Sequence, residues 1–276
     1  MKELGLVSKL PINRFTDFGA YLQLESGEEV FFPQGYLKGE ERENDELEVF
    51  VYTDSEDRPV AVTTRPIALL DEWGVMEAKE VTSFGAFMDW GLPKDLLVPN
   101  AEMGKNMEPG KKYLVKVCVD YRTNRLIGST KHKDFIYPAP KDYEPGIQVE
   151  GLIFDKTELG YKVLLEDRYE GLVYANEVFQ PLEIGEQRTL YVKKRRDDGK
   201  IDLQLLPTGR EKYEEGAERI LKILEEKKFL PLHDKSDPEE IKKVLSMSKK
   251  HFKQCIGQLY KAREIKILED GIALAD

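Results

Sequence analysis

Apolar and polar positions alternate in short runs through roughly the first two hundred residues, and a period of two predicts strands rather than helices. The clearest set is Trp73-Gly74-Val75-Met76, Phe84-Gly85-Ala86-Phe87-Met88-Asp89-Trp90, Leu96-Leu97-Val98-Pro99, Tyr113 to Val119, and Arg125 to Thr130. These runs are β-branched and aromatic, and Gly, Pro, Asn and Asp separate them. The tail changes period. Ala217, Ile220, Leu221, Leu224 and Phe229 recur at helical spacing in a helix expected from Tyr213 to Lys228. Ser236-Asp237-Pro238-Glu239-Glu240 predicts a second helix with an Asp cap, ending near Leu245-Ser246. A third opens at Ser246 or Ser248 and runs through Phe252, Ile256, Leu259 and Tyr260. Ile265 to Leu268 and Ile272 to Leu274 flank Glu269-Asp270-Gly271 as a hairpin. Three helices and a hairpin outline a winged helix-turn-helix.

The strand pattern repeats. An offset of 66 carries Phe18 to Phe84, Gly19 to Gly85, Pro33 to Pro99, Asp54 to Asp120 and Thr64 to Thr130. An offset of 75 then carries Gly85 to Gly160, Pro99 to Tyr174 and Asn124-Arg125 to Gly199-Lys200, with fewer identities. The extra residues fall near Pro138-Ala139-Pro140, where a linker is expected. Five strands in each repeat suit a small Greek-key barrel of the oligonucleotide/oligosaccharide-binding (OB) type. The predicted fold is mainly β with an α+β tail: OB-fold barrels over 1–65, 66–140 and 141–208, then a winged helix over 209–276. Asp197-Asp198-Gly199-Lys200 marks a tight turn in the third barrel.

Composition narrows the function. The net charge of −10 opposes nucleic acid as a partner, since phosphate is neutralised by Lys and Arg. Distribution matters more than the sum. Residues 1–65 hold seven basic against fourteen acidic side chains, whereas 241–263 hold seven basic and no acidic one. No apolar run is long enough to span a membrane, and the N-terminus shows no secretory leader. Cys118 and Cys255 have no ligand-like spacing and are expected as buried free thiols of a cytoplasmic protein. The three histidines form no metal or nucleophile pattern, and no dinucleotide fingerprint or nucleophile elbow occurs. Neither an enzyme, a cofactor, a metal nor a small-molecule substrate is expected.

Asp17-Phe18-Gly19-Ala20-Tyr21 and Ser83-Phe84-Gly85-Ala86-Phe87 resemble the second-strand signature of the ribosomal-protein-S-one-type RNA-binding domain, and Gly171-Leu172-Val173-Tyr174 resembles its third-strand signature. Three such units before a winged helix resemble the conserved virulence factor B family of bacterial RNA-binding regulators. Phe229 to Ser236 and Met247 to Lys253 are similar to that family's winged helix. Single-stranded RNA is the expected partner. The resemblance implies cytoplasmic RNA binding by both the barrels and the tail and an influence on the expression of other genes. It implies an RNA face of Phe18, Tyr21, Asp54 and Arg58 in the first barrel and Phe84, Phe87, Asp120, Asn124 and Arg125 in the second. The third barrel offers Tyr174 but has Leu159 and Lys162 in place of the rings.

The residues alone leave two readings of the rings open. On a regular strand Phe84 and Phe87, three apart, face opposite ways, so one is core; a bulge at Gly85 would expose both. Further phosphate-contact candidates are Lys193-Lys194-Arg195-Arg196, where strand alternation sends Lys193 and Arg195 to one face and Lys194 and Arg196 to the other, and Lys200. On the third helix Lys249, Lys250 and Lys253 stand where a recognition helix meets a groove. That module could instead contact DNA, the ribosome or RNA-processing proteins. A protein-interaction scaffold is the alternative to an RNA-binding regulator.

Overall fold

In the computed structural model, which describes residues 1–178, 181–207 and 210–275, the alternating segments are strands. The chain forms two compact units, one up to Ile136 and one from Tyr137 onward.

The first unit contains two five-stranded structures of the same topology. Strands β1 (Val7–Thr16), β2 (Gly19–Gln23), β3 (Glu29–Pro33), β4 (Glu46–Thr53) and β5 (Pro59–Val62) close into a barrel in the order β1-β2-β3-β5-β4. Inward residues Ile12, Ala20, Leu22, Val30, Phe32, Val49, Val51 and Ala61 fill it. Strands β6 (Trp73–Val81), β7 (Gly85–Asp89), β8 (Leu96–Pro99), β9 (Lys112–Asp120) and β10 (Arg125–Ser129) repeat it in the order β10-β9-β6-β7-β8. Here β8 and β10 meet side by side: a Cβ on Gly128 would lie 2.8 Å from a Val98 methyl carbon.

The two barrels of this unit are welded by apolar surface. Val49-Phe50-Val51-Tyr52 on β4 is buried on both faces, which accounts for its unbroken apolar run. Val49 and Val51 fill the first barrel, whereas Phe50 and Tyr52 join Met88, Trp90 and Leu92 in the core of the second. The Trp90 ring stands edge-on to Phe50, centroids 5.8 Å apart at 83°, and its indole N–H donates to the Lys94 carbonyl at 2.7 Å. Cys118 of β9 is half-buried rather than fully buried, and burial pushes its thiol up to about 11, so it stays protonated near neutrality.

The second unit begins with a segment bonded to the barrel that follows it. Tyr137 donates its N–H to Arg168 O and Ala139 to Gly199 O, both at 2.8 Å, so residues 137–139 do not stand free as a linker. Strands β11 (Gln148–Lys156), β12 (Gly160–Leu165), β13 (Tyr169–Tyr174), β14 (Gln187–Arg195) and β15 (Ile201–Gln204) close a barrel of the same order, cored by Ile153, Val163, Val173, Leu190 and Leu203. The expected boundary at 208/209 lies outside the described residues.

Helices α1 (Arg210–Lys227), α2 (Pro238–Leu245) and α3 (Lys249–Lys261) follow. Asp237 caps α2 by accepting from Glu239 N at 2.8 Å, and Ser248 caps α3 by accepting from His251 N at 3.2 Å. Ile220, Leu224, Ile241, Leu245, Phe252, Ile256 and Leu259 form their common core. The wing differs from the two-stranded hairpin expected. Besides β17 (Ile265–Ile267) and β18 (Ile272–Leu274), the wing contains β16 (Phe229–Leu230), which follows α1 in the chain and pairs with β18. Two residues are too short for a periodicity signal, and Gly271 lets the strands meet because a Cβ there would lie 2.3 Å from Leu230 O. The three-helix, winged outline stands. No helix among the described residues is long and apolar enough to cross a membrane.

Truncating Trp90 to Ala empties the contact between the first two barrels. Urea unfolding of the full chain should show a loss of about 3–5 kcal/mol; a loss below about 1 kcal/mol would contradict the weld.

Candidate nucleic-acid interface

One turn recurs in all three barrels, between their first and second strands. In Thr16-Asp17-Phe18-Gly19 the threonine hydroxyl donates to Gly19 O at 3.1 Å and accepts from Phe18 N at 3.4 Å. Thr82 repeats both bonds with Gly85 and Phe84, at 3.0 and 3.4 Å, and Thr157 donates to Gly160 O at 3.0 Å. Behind the turn the next strand end donates back, from Gln34 N to Phe18 O, Asn100 N to Phe84 O and Ala175 N to Leu159 O, at 2.9–3.0 Å. The glycine is required. A Cβ on Gly19, Gly85 or Gly160 would lie 2.1, 2.5 or 2.1 Å from the facing carbonyl oxygen of Phe32, Val98 or Val173. The residue before each glycine is therefore held at the tip: Phe18 is 79 % exposed, Phe84 57 % and Leu159 67 %.

This settles where the two rings point. β7 begins at Gly85, so strand alternation does not govern Phe84. Ala86 and Met88 are buried and Phe87 lies on the outer face. The Phe84 and Phe87 rings meet edge to face, centroids 5.8 Å apart at 87°.

Register places an equivalent outward row across the first three strands of each barrel. It is Arg14–Tyr21–Phe31 in the first, Glu80–Phe87–Leu97 in the second and Asp155–Lys162–Leu172 in the third. A bulge precedes every row, between Ile12 and Arg14, Ala78 and Glu80, and Ile153 and Asp155. In the first barrel the row is closed over. The Arg14 guanidinium carbon sits 4.0 Å from the Tyr21 ring centroid, Phe31 leans against Tyr21 at 5.5 Å, and Glu29 holds Arg14 at 2.7 Å. Arg14 and Phe31 escape motif-based reading; the bulge and the register identify them. Bonds from Arg14 and then Asn13 hold the Glu29 carboxyl below the usual carboxylate range, and the same pair raises Arg14.

The turn before the last strand differs between the first two barrels. Arg58 is paired with Asp54 at 2.7 Å and Glu56 at 3.1 Å. Partial burial pushes the Asp54 carboxyl up, but the Arg58 bonds bring it below its ordinary value. Arg125 of the second barrel is paired with Asp57 of the first. In the equivalent turn of the second barrel Asp120 accepts instead from Arg122 N at 3.0 Å and the Thr123 hydroxyl at 2.7 Å; Tyr121, a ring absent from the motif, is 96 % exposed, and Asn124 has φ +54°.

In the second unit the basic run is mostly engaged. A bulge between Val192 and Lys194 breaks the alternation expected of a regular strand, so Lys193 and Lys194 are both exposed. Lys193 pairs with Glu177 and lies 5.7 Å from the Tyr174 ring centroid, and Tyr174 donates its hydroxyl hydrogen to Asp202 at 3.2 Å. Arg195 donates to Ala139 O at 2.8 Å and Pro140 O at 3.0 Å, Arg196 pairs with Asp198 at 2.9 Å, and Lys200 with Glu170 at 2.5 Å. On α3, Lys249 donates to Lys235 O at 3.2 Å and Lys253 stands 4.0 Å from Asp234. Lys194 and Lys250 carry no ion pair among the described residues.

Tandem OB barrels with exposed turn-tip rings, followed by a winged helix, define a class of modular β-barrel proteins, and the comparisons match both ends of it. Residues 4–64 match the S1 domain model and 218–274 the CvfB-like winged helix domain model. Conserved virulence factor B of Staphylococcus aureus is 29% identical over 251 residues, covering 86% of this chain and 84% of that protein. The uncharacterized protein YitL of Bacillus subtilis is 28% identical over 266 residues, covering 91% and 87%. A crystal structure of a multidomain protein with nucleic acid binding domains from Streptococcus pneumoniae aligns over 99% of both chains at 25% identity, with a TM-score of 0.49. Over most of its length the chain is similar to conserved virulence factor B, and its C-terminal module matches the CvfB-like winged helix.

The Arg14–Glu29 clasp should respond to acid. A depressed carboxyl keeps the pair intact above its lowered pKa and loses it as pH falls through that value. Tyr21 ring resonances followed by NMR should shift with a midpoint below about 4.3, and Glu29→Gln should abolish the transition; a midpoint at or above that value would refute the clasp.

Proposed function

We propose that this protein binds single-stranded RNA without catalysing a reaction, and that it regulates gene expression in the bacterial cytoplasm. The observation that carries the reading is the Phe84–Phe87 pair, two outward rings on a turn and strand that glycine fixes in place. Bases stack on such rings whatever their sequence, at about 1–3 kcal/mol each. Phe18 adds a third ring at the tip of the first barrel. Lys194 in the third barrel, with Lys250 on α3, supplies cations for phosphate, so the negative total charge does not stand against binding. Similarity over most of the chain supports the regulatory part of the reading: the S. aureus relatives carry the name conserved virulence factor B.

Engagement of Arg58, Arg125, Lys193, Arg195, Arg196 and Lys200 by neighbouring carboxylates or carbonyls gives the rings the larger share. Phe84→Ala and Phe87→Ala should each weaken binding of a labelled uridine decamer by about 5–150-fold, the range that 1–3 kcal/mol sets. Phe84→Ala should leave the unfolding midpoint in urea nearly unchanged, since more than half of that side chain is exposed. Binding that survives Phe18→Ala, Phe84→Ala and Phe87→Ala together would move the site to Lys194 and α3. Absence of binding by the full chain at low salt would sink the RNA reading in favour of DNA or protein contacts through the winged helix.

A further inference from the structure

Two cations of the second barrel converge on one carboxylate of the first. Lys94, in the loop between β7 and β8, is anchored by donating to Asp54 O at 2.6 Å and lies 3.4 Å from the Thr53 hydroxyl, both uncharged acceptors. Its ammonium lies 3.6 Å from one oxygen of Asp57, and the Arg125 guanidinium pairs with the other. No other carboxylate lies within ion-pair distance of either cation among the described residues. Asp57 is held there by the β4–β5 turn, at φ +62°. All three side chains keep solvent access, between 31% and 51%. A carboxylate bridging an ammonium and a guanidinium presents two oxygens as a phosphate diester does, and a guanidinium fork accepts either.

We propose that Lys94 and Arg125 form a phosphate-binding site on the second barrel that Asp57 of the first barrel fills until the backbone of a nucleic acid displaces it. The inference rests on the RNA reading above. A solvent-exposed ion pair is weak enough for such exchange. The released Asp57 gathers a cation from solution, which offsets one of the counterions that the nucleic acid gives up.

The test compares full-length variants for binding the labelled uridine decamer across a potassium chloride series. Asp57→Asn keeps a residue suited to positive φ, and it should tighten binding about two- to fivefold, the factor an exposed pair is worth. It should also steepen the slope of log affinity against log salt by about 0.7, one phosphate contact on a single strand. Glu48→Gln, a charge removed from exposed β4 surface, should give neither change, and Arg125→Ala should cancel the gain in the Asp57→Asn background. Equal behaviour of Asp57→Asn and Glu48→Gln, or a gain that persists without Arg125, would overturn the proposal while leaving RNA binding intact. If wild type binds no RNA, both readings fall. Should Asp57→Asn misfold, the Arg125 Nε resonance of wild type decides: it must shift when RNA is added, and an unmoved resonance refutes displacement.

Discussion

A missing methyl group at three equivalent glycines governs the surface of this protein. Where the first strand of each barrel turns into the second, the backbone runs so close to the third strand that any Cβ would overlap a carbonyl oxygen. The turn can tighten only with glycine there, and the threonine three residues earlier ties it shut. Whatever side chain precedes the glycine is thrown outward. The turn therefore sets exposure and the sequence chooses chemistry: a phenylalanine twice and a leucine once. An exposed ring at such a tip needs no packing partner to hold it, because its backbone is already fixed.

The same logic of constant geometry and changing chemistry runs along the outward rows. Bulges in β1, β6 and β11 set equivalent residues opposite one another, yet the rows read arginine, tyrosine, phenylalanine, then glutamate, phenylalanine, leucine, then aspartate, lysine, leucine. In the first barrel a guanidinium covers the ring and a glutamate covers the guanidinium, so two kinds of contact group are satisfied internally. In the second the phenylalanine finds another phenylalanine and keeps an outer face. Divergence among copies thus acts on availability, not on fold.

Much of this was legible beforehand, for physical reasons that also mark the limit. Strand alternation, the glycine-centred repeats and the helix caps at Asp237 and Ser248 are local, and short-range chemistry writes them into neighbouring residues. The outward direction of both Phe84 and Phe87 was not, because it depends on the strand starting at Gly85 rather than on a period. The pairing of β16 with β18, the cover of Arg14 on Tyr21, and the capture of Arg125 by Asp57 bring together residues distant in the chain. The basic run illustrates the same point. Lys193 to Arg196 is dense in sequence, but one bulge and the separate partners of Lys193, Arg195 and Arg196 decide what each cation is free to do.

The buried outer face of β4 bears on how such a chain could be inherited and rearranged. Although the repeat is some sixty-six residues long, Phe50 and Tyr52 belong to the neighbour's core as much as to their own strand. Duplication or shuffling of a single repeat would strand an aromatic surface in water and unseat Trp90 at once. The smallest segment that recombination can move intact is accordingly the pair, and the first two copies are bound to evolve as one.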